Sequence, residues 1–169
     1  RMVAFGGDGI VRLATGSVAG TSTVLGIVAG GTGNDAAEAL GLTGGSLEDR
    51  VDRSLEVPVA VDLIARVGEG DSLSHRSHAL TSCVAGFPAA VNARAEAMKL
   101  PRGPSRYTVA TLLGIPTMRP GLFRLVLDGK EREERAAVLV VANTGLFGGG
   151  MRICPDAIPD DGLLDVCLV

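Results

Sequence analysis

The sequence predicts an α/β fold that continues into a β-rich half with inserted helices. Two short apolar runs near the start each end in a cluster of glycines and are followed by a helical segment, which is the order of elements in a parallel α/β sheet. From about residue 57 onward, apolar residues alternate with other residues, and a period of two is typical of strands. With 46% hydrophobic residues in 169, the chain has enough apolar side chains for buried cores.

The first part of the chain, residues 1–58, is predicted to be a partial Rossmann-like α/β domain. Its predicted elements are a strand at 2–5, a helix at 10–18, a strand at 24–28 and a helix at 36–40. Ser46 followed by Asp49 is the pattern of a helix N-terminal capping box, with Asp in place of the usual Glu. Because the chain opens directly in a strand, we expect further sequence upstream in the natural protein.

The remaining part of the chain, residues 59–169, is predicted to be a β-sandwich-like domain. Its predicted elements are strands at 57–67, 122–127, 136–143 and 163–169, and helices at 89–98 and 107–113. Asp128 followed by Gly129 is a strong signal for a hairpin turn between two of these strands. The charged run 130–135 is predicted to be a solvated segment beside that turn, and His75 and His78 are predicted to lie in a surface loop.

Composition and charge exclude several classes of protein. Lys and Arg number 16 against 19 Asp and Glu, and the resulting charge of −3 is unlike that of domains that bind nucleic acid generally. The longest apolar run, 136–142, is far shorter than the roughly 20 residues of a membrane-spanning helix. Three cysteines without metal-binding or disulfide spacing, and a start without a signal peptide, predict a cytoplasmic protein.

Both glycine clusters, residues 6–9 and 30–35, follow predicted strands. We therefore expect them side by side at the carboxyl edge of the sheet, where α/β proteins bind ligands. Glycines let phosphate oxygens approach backbone N–H groups, and helix N-termini attract anions. Asp8 can bind Mg²⁺ or accept a proton, although a turn that only caps a helix also explains it. Thr32 adds a hydroxyl, and Asn34 can cap the next helix.

The glycine clusters exclude two common nucleotide-binding loops. Neither cluster has the lysine of a P-loop, and neither has the GxGxxG spacing of a dinucleotide-binding fold. Phosphoryl transfer nevertheless needs little more than a positioned γ-phosphate and neutralisation of its charge. Backbone N–H groups together with carboxylates that hold Mg²⁺ supply both requirements without a lysine.

The two glycine clusters at this spacing resemble the catalytic domain of the diacylglycerol kinase family, which includes bacterial lipid kinases and the sphingosine and ceramide kinases. The bacterial soluble branch is the most similar. The resemblance spans nearly the whole chain, and it continues in order through residues 58–62, 86–87, 91–94, 142–143, 147–151, 154–157 and 160–165. This combination of segments is highly specific.

The resemblance implies transfer of the γ-phosphate of ATP to a lipid hydroxyl, such as that of diacylglycerol, with Mg²⁺ as a cofactor. The catalytic residues that it implies are Asp8 and Asp62, the second of them through a Mg²⁺–water network. The nucleotide-binding residues that it implies are Gly6, Gly7, Gly9, Gly31, Thr32, Gly33 and Asn34. The residues implied for a structural metal site, remote from the chemistry, are Asp160, Asp161 and the carbonyl of Leu163.

Taken without the resemblance, the acidic residues have simpler interpretations. Asp62 is a solvent-facing residue of a predicted strand, and residues 160–162 form an acidic β-turn. The sequence also departs from the family pattern, since Ile10 stands where Thr is more frequent and Pro88 stands where an aspartate is usual. The family has further strands upstream and a later catalytic acid. We therefore expect the 169-residue chain alone to show little or no turnover.

The expected partners are a lipid substrate and a membrane surface, and no nucleic acid. We expect peripheral association with the inner face of the membrane on the cytoplasmic side, and a homodimer is left open. Basic residues surround the two predicted helices of the second half, and they either meet anionic lipid or form a solvated helix face. These residues are Arg94, Lys99, Arg102 and Arg106.

Two other functions remain open from the sequence. NAD kinase-like and phosphofructokinase-like phosphotransferases share a Gly-Gly-Asp-Gly turn, although the cluster at 30–35 and the tail at 148–165 argue against both. A non-catalytic module that binds nucleotide or lipid is favoured by Ile10 and Pro88. Phosphate transfer to a lipid, to NAD or to a sugar phosphate distinguishes the enzymes, and binding without transfer indicates the module.

Overall fold

The computed structural model describes residues 1–67, 77–98 and 105–169. The chain divides into two compact units, of which the first comprises residues 1–83 and 142–165 and the second residues 84–141 and 166–169. His75, Lys99, Arg102 and the side chain of Arg106 lie outside the described part.

The described residues begin with alternating strands and helices and end in a run of six strands. In chain order, the elements are β1 (Met2–Gly6), α1 (Asp8–Val18), β2 (Leu25–Ala29), α2 (Asp35–Ala39), α3 (Leu47–Arg53), β3 (Ile64–Arg66), β4 (Ser77–Ala79), β5 (Ser82–Gly86), α4 (Phe87–Ala97), α5 (Ser105–Gly114), a 3₁₀ turn (Ile115–Thr117), β6 (Gly121–Leu127), β7 (Lys130–Ala136), β8 (Val138–Ala142), β9 (Leu146–Phe147), β10 (Met151–Arg152) and β11 (Asp165–Leu168).

The first unit is built on two parallel strands. Met2 of β1 lies opposite Leu25 of β2, and Gly6 lies opposite Ala29, so both strands end at the same edge and deliver their glycine clusters there. Helices pack against the sheet, and one buried apolar cluster joins them to it. Its members are Val11, Ile27, Ala29, Ala36, Ala37 and Leu80. The predicted α/β arrangement is confirmed.

The extended segment before β3 differs from the prediction. A strand is predicted over 57–67, but the structure has one only over Ile64–Arg66. Val57 and Val59 are 90% and 80% exposed, and Pro58 between them has no N–H to donate to a neighbouring strand. Within the described residues no strand pairs with 57–63. The alternation of apolar and other residues there therefore belongs to an extended segment that is not part of a sheet.

The second unit combines strands with a pair of helices, as predicted. α4 and α5 pack against each other through the buried side chains Val91, Ala95 and Ala110. β8 lies between β5 and β11 in a three-stranded sheet that belongs mostly to this unit. β6 and β7 form a separate antiparallel hairpin, with Gly121 opposite Ala136.

The hairpin turn is at the predicted place, but its second strand begins earlier than predicted. Asp128 and Gly129 have φ values of 49° and 76°, which is the left-handed geometry of a tight two-residue hairpin. The charged run 130–135 forms most of β7, and its residues are exposed to solvent as predicted. Its polar side chains are compatible with a strand because the hairpin is exposed, and Glu131 forms an ion pair with Arg124 on β6. His78 also differs from the prediction, because it lies half-buried in β4.

The predicted capping box at the start of α3 is present. The Ser46 backbone N–H donates to the Asp49 carboxylate at 2.8 Å, and the Asp49 N–H donates to the Ser46 hydroxyl at 3.2 Å. Two hydrogen bonds lower the pKa of Asp49 below its ordinary value of 3.8. The larger effect comes from the hydrogen bond with the Ser46 backbone, and the smaller from the hydrogen bond with the Ser46 side chain.

We predict that Asp49→Asn destabilises the protein near neutral pH and that the difference disappears in acid. A carboxyl whose pKa is lowered by folding contributes stability above its unfolded pKa, and this contribution is lost as the pH falls through its folded pKa. Urea unfolding at a series of pH values should therefore show wild type and variant converging below about pH 3.8. Asp52→Asn on the exposed side of the same helix is the charge-matched control, and a pH-independent difference for Asp49→Asn contradicts the prediction.

Candidate functional site

The two glycine clusters lie side by side and touch through their backbones. The Gly30 N–H donates to the Gly6 carbonyl at 2.9 Å, which continues the β1–β2 pairing into the turns. A Cβ placed on Gly31 would lie 2.4 Å from the Cα of Gly7. That distance is far inside a van der Waals contact, so glycine is required at this position. The predicted neighbouring turns are confirmed.

Asn34 closes the second turn instead of capping α2. Its side-chain oxygen accepts the Gly31 N–H at 2.8 Å, and its amide group donates to the Gly31 carbonyl at 2.7 Å. The residue stands at the N-cap position of α2 with φ of 62°, and its side chain makes no cap hydrogen bond. The prediction that Asn34 caps the helix is therefore wrong. The side chain instead holds residues 31–34 in a tight loop.

Asp8 joins the two turns. It is the first residue of α1, and its Oδ1 accepts the N–H of Ala36 in the first turn of α2 at 3.0 Å. Its Oδ2 lies next to Gly33, where an added Cβ would be 2.8 Å away. Asp8 thus takes the capping role at α2 that Asn34 leaves open, and it sits between both glycine clusters. A carboxylate oriented in this way can also hold a cation or accept a proton.

The surface of the paired turns is open and carries no basic side chain. Gly9, Thr32 and Gly33 are exposed, and a Cβ on Gly9 would meet no atom within 4 Å. The first N–H groups of a helix have no intrahelical acceptor, and the helix dipole adds positive potential there. Residues 6–9 and 30–35 contain no Lys or Arg. An anion bound here would therefore be held by backbone N–H groups, and further charge neutralisation would have to come from a cation.

Asp35 is an important residue that the sequence analysis did not single out. It is 8% exposed, and its two carboxylate oxygens accept the N–H groups of Gly149 and Gly150 at 2.8 and 2.7 Å. These hydrogen bonds tie the glycine run 148–150 to the start of α2. All three glycines in the run have φ values between 63° and 92°. The glycine run was the signal in the sequence that could have indicated this contact, because a backbone with such φ values presents consecutive N–H groups to one acceptor.

Asp62 is held by the acidic turn near the end of the chain. Its carboxylate accepts the Gly162 N–H at 2.7 Å, and its backbone N–H donates to the Pro159 carbonyl at 2.7 Å. Asn143 is 1% exposed, and its amide group donates to the carbonyls of Asp62 and Leu80 at 2.8 and 3.0 Å. Asn143 is a second residue whose role was not predicted. Within the described residues, no hydrogen bond joins Asp62 to Asp8.

The predicted metal ligands lie in that same acidic turn. Asp160, Asp161 and Leu163 are exposed, and the Asp161 carboxylate accepts the Leu163 N–H at 2.9 Å. Across residues 1–67, 77–98 and 105–169, no group of three or more His, Cys, Asp or Glu is arranged to hold a metal. The predicted site consists of two carboxylates and a carbonyl, and it stays a prediction.

The two departures from the family pattern lie at the starts of helices. Ile10 is 48% exposed on α1, and its side chain covers Gly6, where an added Cβ would be 2.8 Å from Ile10 Cγ1. An apolar group therefore stands beside the first turn in place of a hydroxyl. Pro88 lies in the first turn of α4, a position that tolerates proline because the N–H has no helical acceptor.

Comparison with known proteins agrees with this geometry. Residues 1–65 match the family model described as the diacylglycerol kinase catalytic domain. Residues 81–169 match the model described as the YegS C-terminal NAD kinase beta sandwich-like domain. The chain belongs to the diacylglycerol kinase family. The predicted resemblance and fold class are confirmed.

Several members of the family are similar over almost the whole chain. A Mycobacterium tuberculosis protein named diacylglycerol kinase is 39% identical over 166 residues, which are 96% of this chain and 52% of that protein. Lipid kinase YegS from Escherichia coli K12 is 25% identical over 170 residues, with 98% and 54% covered. A crystal structure of a putative diacylglycerol kinase from Bacillus anthracis superposes with a TM-score of 0.71 at 27% identity, covering 99% of this chain and 54% of that one.

The chain spans about half the length of the curated relatives that it matches. Among the helices that the structure describes, none is long and apolar enough to cross a membrane.

We predict that Asp35→Asn destabilises the first unit. An asparagine replaces one acceptor oxygen by an NH₂ group that faces a backbone N–H, so one part-buried hydrogen bond to the glycine run is lost. A hydrogen bond to a charged group contributes about 1.5–3 kcal/mol, and urea unfolding can measure its loss. Asp52→Asn removes the same charge from an exposed position and should change the unfolding free energy little. Equal stability of wild type and Asp35→Asn contradicts the importance of this contact.

Proposed function

We propose that this chain is the core of an ATP-dependent lipid kinase that transfers the γ-phosphate of ATP to a lipid hydroxyl, with diacylglycerol as the first candidate acceptor. The observation that carries the proposal is the pair of interlocked glycine turns with Asp8 between them. The names of the relatives, diacylglycerol kinase and lipid kinase, support the same reaction.

In this proposal, the triphosphate of ATP lies over the open backbone of the two turns. Gly6, Gly7 and Gly9 bring the N-terminus of α1 to the surface, and Gly31 and Gly33 let the second turn approach the first. Asn34 keeps the second loop closed through Gly31, and the exposed Thr32 hydroxyl is a further donor. Backbone donors held in advance stabilise the charge that develops on a transferring phosphoryl group without reorganising.

We propose Asp8 as the catalytic carboxylate. The lipid hydroxyl oxygen forms the new bond to the γ-phosphorus as the bond to ADP breaks, and the hydroxyl proton passes to Asp8. The Ala36 N–H orients the carboxylate through Oδ1, which leaves Oδ2 for the proton or for a cation. A bound Mg²⁺ would supply the charge neutralisation that the missing lysine does not, and the carboxylates of Asp8 and Asp62 suit such a hard cation.

We propose a second, structural cation site at Asp160, Asp161 and the Leu163 carbonyl. All three are exposed oxygen donors on one short turn, and oxygen ligands are what Mg²⁺ prefers. Because Asp62 is hydrogen-bonded to Gly162 in the same turn, a cation there would steady Asp62.

We further propose that the protein acts at the cytoplasmic face of the membrane, peripherally bound, as a monomer or a homodimer. An acceptor lipid resides in the membrane, whereas ATP is a cytoplasmic solute. We retain the proposed division into a partial nucleotide-binding domain (1–58) and a lipid-binding domain (59–169).

We predict that Asp8→Asn strongly reduces phosphate transfer. The assay follows labelled phosphate from Mg·ATP into diacylglycerol, sphingosine, phosphatidylglycerol and NAD, using this chain in its natural open reading frame. General acid–base catalysis contributes about 10²–10⁴-fold, and we expect a loss of that size with Asp8→Asn but not with the exposed Asp52→Asn. NAD is included because one matching family model is described as NAD kinase-like. Transfer to NAD alone indicates the alternative enzyme, and nucleotide binding without any transfer indicates a binding module.

We also predict that Gly9→Ala weakens ATP binding without harming the fold. Its methyl group would occupy open space above the first turn, where the proposal places a phosphate. Loss of a hydrogen bond to a charged group costs about 1.5–3 kcal/mol, which corresponds to roughly a 10- to 100-fold weaker affinity. Titration calorimetry with the 169-residue chain measures this affinity.

Gly16→Ala is the matched control for Gly9→Ala. It lies in the same helix, and an added Cβ there also meets no atom within 4 Å. Both substitutions should stabilise α1 by up to about 1 kcal/mol, because alanine favours a helix more than glycine does. Only Gly9→Ala should affect ATP. Equal affinities for the two variants argue against phosphates lying over the first turn.

A further inference from the structure

The second unit carries a compact apolar surface that its own core does not use. At the end of α5 and in the 3₁₀ turn after it, Leu112, Leu113, Ile115 and Met118 are 63%, 57%, 51% and 46% exposed. Single exposed apolar residues are ordinary, but four large ones within seven positions form a patch, and such patches mark interaction surfaces. We refer to these four residues as the α5 patch.

A cavity of about 260 Å³ opens beside the α5 patch. Its apolar wall comes from Phe87 and Val91 of α4 and from Ala110 of α5, and Met118 belongs to both the cavity and the patch. Gly114 allows this packing, because a Cβ there would lie 2.8 Å from the Phe87 ring. The cavity and the patch are therefore parts of one surface within the second unit.

Two arginines from different elements reach this cavity. Arg94 lies on α4 and Arg119 follows the 3₁₀ turn, and both line the cavity. In the part of the chain that the structure describes, neither guanidinium has a hydrogen bond or an ion pair, and no Asp or Glu lines the cavity. Glu96, the acidic residue of α4, is not among the lining residues. The whole chain has a net charge of −3, so this positive cavity is a local feature.

An anion with an apolar body matches this combination. Guanidinium groups bind phosphate oxygens in a bidentate geometry, and exposed apolar side chains beside basic ones are the pattern of proteins that lie in the membrane interface. A second copy of the chain matches less well. In a two-fold contact the same patch faces itself, so it would bring the arginines of both copies together without any acid in the cavity.

We propose that the α5 patch enters the acyl layer of a membrane while Arg94 and Arg119 bind the phosphate of one anionic phospholipid in the cavity. This inference rests on the proposed function, because a lipid kinase has to meet a membrane surface. It names a docking lipid that is distinct from the acceptor, since diacylglycerol has no charge for the arginines to bind. Arg94, which belongs to the candidate basic surface of the sequence analysis, thus acquires a specific ligand class together with Arg119, which the sequence analysis did not single out.

The test is binding of the 169-residue chain to vesicles of phosphatidylcholine with and without phosphatidylglycerol, followed by flotation. The double variant Arg94→Gln/Arg119→Gln should bind the anionic vesicles about thirtyfold more weakly, because each basic residue near an anionic surface contributes about 1 kcal/mol and 1.4 kcal/mol is tenfold. Arg132→Gln/Arg135→Gln on the exposed strand β7 changes the charge equally and should bind like wild type. Leu112→Ser/Leu113→Ser should weaken binding to both kinds of vesicle.

A second measurement isolates the cavity from the surface charge. Ala90 is exposed and lines the cavity, so Ala90→Trp should fill it while both arginines remain. Titration with dihexanoyl phosphatidylglycerol below its micellar concentration should show at least tenfold weaker binding to Ala90→Trp than to Ala93→Trp, which is exposed on the same helix outside the cavity. Inorganic phosphate should not compete, because it lacks the apolar body.

Three results would overturn the inference. They are equal binding to neutral and anionic vesicles, equal weakening by the two arginine double variants, and a self-associated wild type that Leu112→Ser/Leu113→Ser converts to monomer. Failure of the proposed kinase is distinguishable from these, because Asp8→Asn should bind both vesicles and dihexanoyl phosphatidylglycerol like wild type. Circular dichroism spectra of all variants confirm that each has folded.

Discussion

The contact between the backbones of Gly7 and Gly31 is the constraint on which the candidate site depends. Two parallel strands end at the same edge of a sheet, and their turns approach so closely that a single methyl group on Gly31 would lie 2.4 Å from Gly7 Cα. With no side chains between them, the turns present a continuous surface of peptide groups. Asp8 then links this surface to α2 through Ala36. The phosphate binding that we propose for these N–H groups depends on that closeness.

Two aspartates connect distant parts of the chain within the first unit by accepting backbone N–H groups. Asp35 holds Gly149 and Gly150, which are more than a hundred residues away, and Asp62 holds Gly162. In each case the donor belongs to a glycine, whose backbone can turn its N–H toward a carboxylate where other residues would be strained. The first unit is therefore discontinuous in sequence, because the late segment 142–165 joins residues 1–83.

The two units have different surfaces, and we expect each to bind a different kind of ligand. The glycine turns offer polar backbone and carboxylates, which suit a nucleotide and a hard cation. The second unit offers exposed leucines on α5 and two arginines that have no ion pair within the described residues, and both suit the boundary between acyl chains and phosphate headgroups. A lipid kinase needs both kinds of surface, because its two substrates reside in different solvents.

The sequence alone determined much of this protein. Short local patterns predicted the order of strands, turns and helices, the capping box at Ser46 and the Asp128–Gly129 hairpin. Motifs along the chain predicted the family. The tertiary structure decided the rest. It showed that Asn34 closes a loop while Asp8 takes over the cap. It also showed that Asp35 accepts backbone N–H groups and Asn143 donates to carbonyls far along the chain, and that no strand among the described residues pairs with 57–63. Each of these depends on which distant donor or acceptor is brought within about 3 Å, and spacing along a sequence has no information about that distance.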